Sequence, residues 1–335
     1  MIITNSQNLP DPFVQAVSKE YQYKEKRYSV TTLLKSEREI MLQRRHNDEI
    51  EQDVSDMIWA IFGTAVHSVL ENSNKSEDLL TEKYLSLPVT LDDGDTYTLS
   101  GLCDLYDTKQ GEVIDYKVTS TFKALKKDYD DYKMQGLMYA YMISKTKFYK
   151  YMSDLEFETG TKKYSYDTEL SVKANLRGYE EVTFKPKKAT FYMVLRDWQK
   201  SKAKFDKDYP QSQVVPVTFK FTQKDFDFIE KWIKDKFEAI KKAEQLADKD
   251  LPLCCDKDRW KNPDVWAVMK NGRKSALRLL NTEQEAKSYM SKNGGDYVEL
   301  RKGEDRKCKE YCSACQFCEH WQKNYANDGA GSLPF

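Results

Sequence analysis

The chain lacks any run of about 18 uncharged apolar residues, so no segment reads as a membrane-spanning helix. It lacks an excess of charge: Lys and Arg number 54, Asp and Glu number 54, and the formal net charge is zero. That balance argues against a histone-like or generally polybasic nucleic-acid binder and requires any phosphate-binding surface to be local. Histidine is scarce, with three in 335 residues. No Gly-Lys-Ser/Thr phosphate loop occurs, so ATP-driven unwinding would have to come from another chain. There is no internal repeat and no low-complexity segment. Residues 1–12 lack the basic-then-apolar layout of a secretory signal, which reads as cytosolic.

What is present is a 40% hydrophobic and 13% aromatic composition, enough apolar mass for a sizeable core. The length suits one enlarged domain or a core with an appended module. Three regions are expected: an arm over 1–25, a core over 26–250, and a cysteine-bearing segment over 251–335 that contains a small α/β insertion at about 264–301.

Ser29, Thr31 and Thr32 predict the start of a helix running to about Arg45. Asp53 or Ser55 caps a second helix, whose Met57, Ile58, Ile61, Phe62, Val66, Val69 and Leu70 predict one buried face. Three strand-like runs follow, Leu80 to Leu87, Tyr97 to Leu105 and Val113 to Val118, and then a helix from about Tyr129 to Ser144. Residues 148–220 alternate strand-like pieces with a charged stretch from Asp197 to Asp208, and Thr222 opens a long amphipathic helix to about Ala247. Beyond Leu251-Pro252 come two short strands around Asn271-Gly272, a helix from Thr282 to Met290 and a strand from Tyr297 to Arg301. This order predicts a mixed α/β core.

Asp104, Asp115 and Lys117 carry the chemistry. Asp115 and Lys117 sit at i and i+2 of a strand and so share a face, which puts Tyr116 on the opposite, core side. Pairing with the preceding strand brings Asp104 near Asp115. Two close carboxylates repel unless a cation lies between them, and oxygen ligands suit Mg²⁺ or Mn²⁺. A lysine beside such a cation can orient or deprotonate a water that attacks a phosphodiester. Read alone, Asp-x-Lys is as well explained by a surface ion pair. Two helical pairs add to it: His67 and Glu71 after Gly63, and Gln135 and Tyr139, each one turn apart on one face.

The ordered set resembles the PD-(D/E)xK nuclease superfamily in its RecB/AddB-like exonuclease branch. That branch has a Gly-x-x-x-His-x-x-x-Glu helix, a lone Asp on a strand, an acidic-x-Lys strand and a Gln-x-x-x-Tyr helix. The matching residues are Gly63, His67, Glu71, Asp104, Asp115, Lys117, Gln135 and Tyr139. The superfamily's Pro is absent before Asp104, where Cys103 stands. The resemblance implies an α/β fold with a mixed central sheet flanked by helices, a restriction-endonuclease-like core. It implies that His67, Asp104, Asp115 and the Tyr116 backbone carbonyl ligate Mg²⁺ or Mn²⁺ and that Lys117 positions the water. Gln135 and Tyr139 would contact DNA or brace the site, and Glu71 would serve as a second-metal ligand or as a partner of His67.

Of seven cysteines, Cys308, Cys312, Cys315 and Cys318 fall within eleven residues. In a reducing compartment that density reads as a metal site before disulfides. Four thiolates hold Zn²⁺ or an iron–sulfur cluster, and free structural thiols are the plain alternative. Members of the RecB-like branch carry a 4Fe–4S cluster on one early and three late cysteines. Here no Cys precedes Cys103, so Cys254 or Cys255 would join Cys308, Cys312 and Cys318, leaving Cys315 extra.

Eight lysines lie between Lys117 and Lys150, interleaved with Phe122, Tyr129, Tyr132, Phe148 and Tyr149. A second basic stretch runs from Lys185 to Lys207. Both suit phosphate contact and stacking on unpaired bases, as both also suit a solvated surface. The expected partner is DNA, as linear duplex or single strand, with a helicase or recombinase as a possible companion in a bacterial or phage-infected cytoplasm. The expected activity is a metal-dependent exonuclease for recombination, repair or phage DNA processing. A nicking or structure-specific endonuclease would use the same site. The readings from other classes are a non-catalytic DNA-binding module and a cysteine-cluster redox sensor.

Overall fold

The computed structural model describes residues 1–18, 23–73, 76–153, 165–168 and 176–326. The chain divides into a larger unit, Ile3–Lys35 with Asp53–Lys242, and a smaller one, Met1–Ile2 with Ser36–Gln52 and Ala243–Phe335. No described helix is long and apolar enough to cross a membrane.

The larger unit is mixed α/β with a mixed central sheet flanked by helices. Strand Thr96–Asp107 is its hub. Along one edge it pairs antiparallel with Leu79–Thr90. Along the other it pairs first with Arg27–Ser29, in parallel, and then with Glu112–Thr119, antiparallel. Glu112–Thr119 pairs in parallel with Lys188–Leu195, which pairs antiparallel with Val214–Lys220. The second edge of the hub is thus open between Ser100 and Leu105. Tyr97, Leu99, Cys103 and Leu105 are buried, and Leu102 on the alternate side is exposed, the period of two expected of a strand.

Helix Asp130–Lys145 packs on strands Glu112–Thr119 and Lys188–Leu195. Its Gly136 permits the contact, because a Cβ there would stand 2.6 Å from the Ala189 Cβ. Helix Ile58–Ser73 meets strand Glu112–Thr119. Tyr28, Tyr97 and Phe237, the last from the long helix Gln223–Glu244, stack as a buried aromatic trio.

Several expectations need correction. The helix expected from Ser29 to Arg45 is two helices, Val30–Leu33 and Glu37–Arg45. Ser36 lies in extended backbone and caps the second by accepting from the Glu39 N–H. The N-terminal arm holds helix Asp11–Val17, with Pro12 in its first turn. The face expected to be buried on helix Ile58–Ser73 is not: none of its residues is buried, and Trp59, Phe62 and Val69 are exposed. Part of the alternation expected over 148–220 falls on 154–164 and 169–175, outside the described residues.

In the smaller unit, strand Val265–Met269 lies between Arg278–Leu280 and Tyr297–Arg301, all antiparallel. Helix Glu283–Asn293 covers them and opens on a reciprocal capping box between Thr282 and Glu285.

Candidate active site and thiol centre

The open edge of the hub strand makes the first site. The ladder between the hub and strand Glu112–Thr119 ends at Leu105 and Ile114. One residue further on, the strands part, and the Asp104 carboxylate accepts from the Tyr116 N–H at 3.1 Å. Strand alternation then places Asp115 on the face covered by helix Asp130–Lys145, where it is buried. Its Oδ2 accepts from Gln135 Nε2 at 2.8 Å, and its Oδ1 lies 2.6 Å from Lys117 Nζ. Burial pushes Asp115 up to about 6; the Lys117 charge opposes the rise and Asp104 adds to it.

The sequence puts Tyr116 on the core side, and the structure corrects this. Tyr116 is half-buried on the opposite face, with its ring edge-on to His67 at 6.1 Å. His67 Nε2 lies 2.8 Å from the Tyr116 carbonyl oxygen and Nδ1 lies 3.2 Å from Asp104 Oδ2. Both ring nitrogens thus face acceptors. A neutral imidazole donates from one nitrogen only, so an uncharged ring leaves one contact lone pair to lone pair. A doubly protonated ring, or a cation among these atoms, removes the conflict. Imidazole, two carboxylates and a carbonyl fit Mg²⁺ or Mn²⁺.

Gln135 and Tyr139 brace the two ligand strands from below. Gln135 holds Asp115, and the Tyr139 ring fills the space above Gly101 on the hub, where a Cβ would come within 2.8 Å of it. Both side chains are buried, so neither meets a DNA strand. Glu71 lines a cleft of about 280 Å³ with His67, Glu82, Asp104 and Tyr116.

The second site lies in the smaller unit and is organised by helix Glu37–Arg45. Its cap residue Ser36 hydrogen-bonds Cys254 Sγ at 2.9 Å. Arg38, itself buried, donates to the carbonyls of Leu251 and Pro252 and reaches Cys318 Sγ at 3.7 Å. Glu39 pairs with Lys307 at 2.6 Å, Gln43 with Ser313 at 2.8 Å, and His46 stacks on Phe317 at 3.9 Å. One helix therefore gathers the Cys254 loop and the segment carrying the four late cysteines. Cys254 faces it, whereas Cys255 is exposed and bonded to Asp258. Burial pushes the Cys308 and Cys315 thiols up to about 12, and Cys254 and Cys312 also rise. Such thiols ionise only against a compensating positive charge, which is what a bound metal provides. Beside them, Asp305, Cys308 and His320 bring ligand atoms within 4.8 Å of one another, with Arg259 Nε at 3.4 Å from Asp305.

No protein-family model matches the chain, and no curated protein matches it. Among solved structures it is similar to a chain described as the crystal structure of SSO0001. The identity is 15% and the TM-score 0.41, over 68% of this chain and 82% of that one. A likeness at that level carries no functional argument.

Sequence reasoning missed Glu82. Its ligand atom joins those of His67 and Asp104 within 4.8 Å. It interrupts the ladder opposite Asp104, between the pairs Thr81–Leu105 and Lys83–Cys103, with φ of +47°. A left-handed non-glycine residue inside a strand is uncommon and costs about 1–3 kcal/mol. Burial, then the charges of Asp104 and Glu71, hold its carboxyl above the usual range. The only sequence signal was an acidic residue in an otherwise strand-like run, which says nothing of the backbone turn.

Proposed function

We propose that this chain is a Mg²⁺- or Mn²⁺-dependent deoxyribonuclease of the PD-(D/E)xK type, an exonuclease of the RecB-like branch. One observation carries the reading. His67, Asp104, Asp115, Lys117 and Gln135 come from four elements that meet near the point where two strands part: His67 lies 3.2 Å from Asp104, and Asp115 lies 2.6 Å from Lys117 and 2.8 Å from Gln135. A divalent cation there would polarise the scissile phosphate and acidify a water. His67, Asp104, Asp115, Glu82 and the Tyr116 carbonyl would hold it. Gln135 fixes Asp115 by one oxygen, and the other meets Lys117. Lys117 would orient the attacking water and offset developing negative charge. A purely DNA-binding module has no need of Asp104, Asp115 and Lys117 together.

In the smaller unit we read Cys254, Cys308, Cys312 and Cys318 as the ligands of a 4Fe–4S cluster, with Cys315 as the extra thiol. Four thiolates suit a 4Fe–4S cluster, with Zn²⁺ as the alternative occupant.

The test is digestion of end-labelled linear duplex, single-stranded DNA and closed circular plasmid in Mg²⁺, Mn²⁺ or EDTA. Metal-dependent loss of linear DNA alone supports an exonuclease. Cutting of the circle moves the reading to an endonuclease. No cleavage of any substrate in any metal overturns it.

A further inference from the structure

Helix Ile58–Ser73 is apolar yet contains no buried residue. At its start Trp59 is 52% exposed, and the Arg196 guanidinium lies over its ring, 4.1 Å from the centroid. Phe62, also exposed, stands edge-on to Trp59 at 6.2 Å. The Arg196 N–H donates to the Thr119 carbonyl at 2.9 Å, two residues beyond Lys117 on the same strand. Trp59, Gly63 and His67 follow one another at four-residue spacing and form one stripe of the helix. Gly63 leaves that stripe open, since a Cβ there would meet nothing within 4 Å. The stripe spans roughly 12 Å from the exposed indole to the imidazole of the active site.

Charge marks the same place. Of the lysines first expected to face DNA, Lys117, Lys123, Lys126, Lys133, Lys145 and Lys147 each meet a carboxylate. Arg196 and the lysines of helix Lys200–Phe205, namely Lys200, Lys202 and Lys204, meet none among the described residues. Lys127, Lys185, Lys187 and Lys207 likewise meet no carboxylate among the described residues, and Arg196 is singled out among these cations by its seat on the Trp59 ring.

The geometry points to a binding subsite for an unpaired polynucleotide strand. One base stacks on Trp59, whose other face Arg196 braces, and the flanking phosphates lie against Arg196 and Lys200 to Lys204. The strand then runs along the Gly63 stripe to Lys117. Duplex DNA keeps its bases stacked on each other and offers no free face, so the subsite selects single-stranded substrate. This inference rests on the nuclease reading and supplies its substrate class.

Fluorescence anisotropy in EDTA, where nothing is cleaved, tests it with labelled oligo(dT), blunt duplex and oligo(U). Trp59→Ala should weaken oligo(dT) binding roughly tenfold, Trp59→Phe should retain most of it, and duplex binding should change less than about twofold. Arg196→Ala should follow Trp59→Ala. Unchanged melting temperature and unchanged Mn²⁺ binding show that the variants fold. Oligo(dT) affinity untouched by Trp59→Ala, or equal losses for single strand and duplex, overturns the subsite. Oligo(U) bound as tightly as oligo(dT) upholds the subsite and overturns only its restriction to DNA. Wild-type protein that binds oligo(dT) through Trp59 but cleaves nothing in Mn²⁺ keeps the subsite and removes the nuclease reading. Wild-type protein that cleaves, but binds without regard to Trp59, does the reverse.

Discussion

The two candidate sites solve opposite problems. In the larger unit the chemical groups are charged, and they largely satisfy one another: Lys117 meets Asp115, Gln135 holds Asp115, and Asp104 takes the Tyr116 amide. In the smaller unit the groups are buried thiols whose ionisation burial opposes. The first site can form without its cation and lacks only the chemistry. The second is gathered by helix Glu37–Arg45, but its buried thiols stay protonated unless a positive charge compensates them. Losses in the larger unit should therefore show as rate, and losses in the smaller unit as stability.

The strongest way to break this contrast is Lys117→Ala. Cleavage of end-labelled linear DNA in Mn²⁺ should fall roughly a thousandfold, with the melting temperature within a few degrees of wild type. A variant that unfolds, or one that keeps wild-type rate, contradicts the division of labour. Next in size is the thiol centre. Cys254→Ser, Cys312→Ser or Cys318→Ser should abolish the visible absorbance and iron content of anaerobically prepared protein and destabilise the smaller unit by a few kcal/mol. Cys255→Ser should leave all three unchanged, since its side chain is exposed and turned to Asp258. Zinc in place of iron in the purified protein would remove the cluster assignment while keeping the metal site.

Glu82→Gln sharpens the comparison inside the larger unit. It should weaken Mn²⁺ affinity roughly tenfold, read by calorimetry. In metal-free protein it should raise the melting temperature, because like charge from Asp104 and Glu71 is relieved. Equal affinity in the variant excludes Glu82 as a ligand. The smallest effect is on pH dependence. Asp115 has a folded pKa raised from 3.8 to about 6, so the folded state binds its proton more tightly than the unfolded state. Metal-free protein in EDTA should therefore lose stability as pH climbs from about 4 to about 6, and Asp115→Asn should flatten that slope. Mn²⁺ should reverse it, because a cation favours the carboxylate.

Much of this was legible along the chain. The period of two put Asp115 with Lys117, the four-residue spacing put His67 with Glu71 and Gln135 with Tyr139, and the density of cysteines singled out the thiol-rich segment. Those inferences need only local geometry, which sequence spacing determines. The tertiary structure alone decided the rest. It parted two strands beyond Leu105 and turned Asp104 onto the Tyr116 amide. It brought Glu82 to the site by a left-handed residue that no strand pattern encodes. It placed Ser36 and Arg38 against cysteines more than 200 positions away. It also uncovered a helix whose apolar periodicity promised a buried face. Periodicity tells which side chains share a side of an element. Whether that side meets protein, metal or solvent depends on contacts between residues far apart in the chain, and spacing carries no information about those.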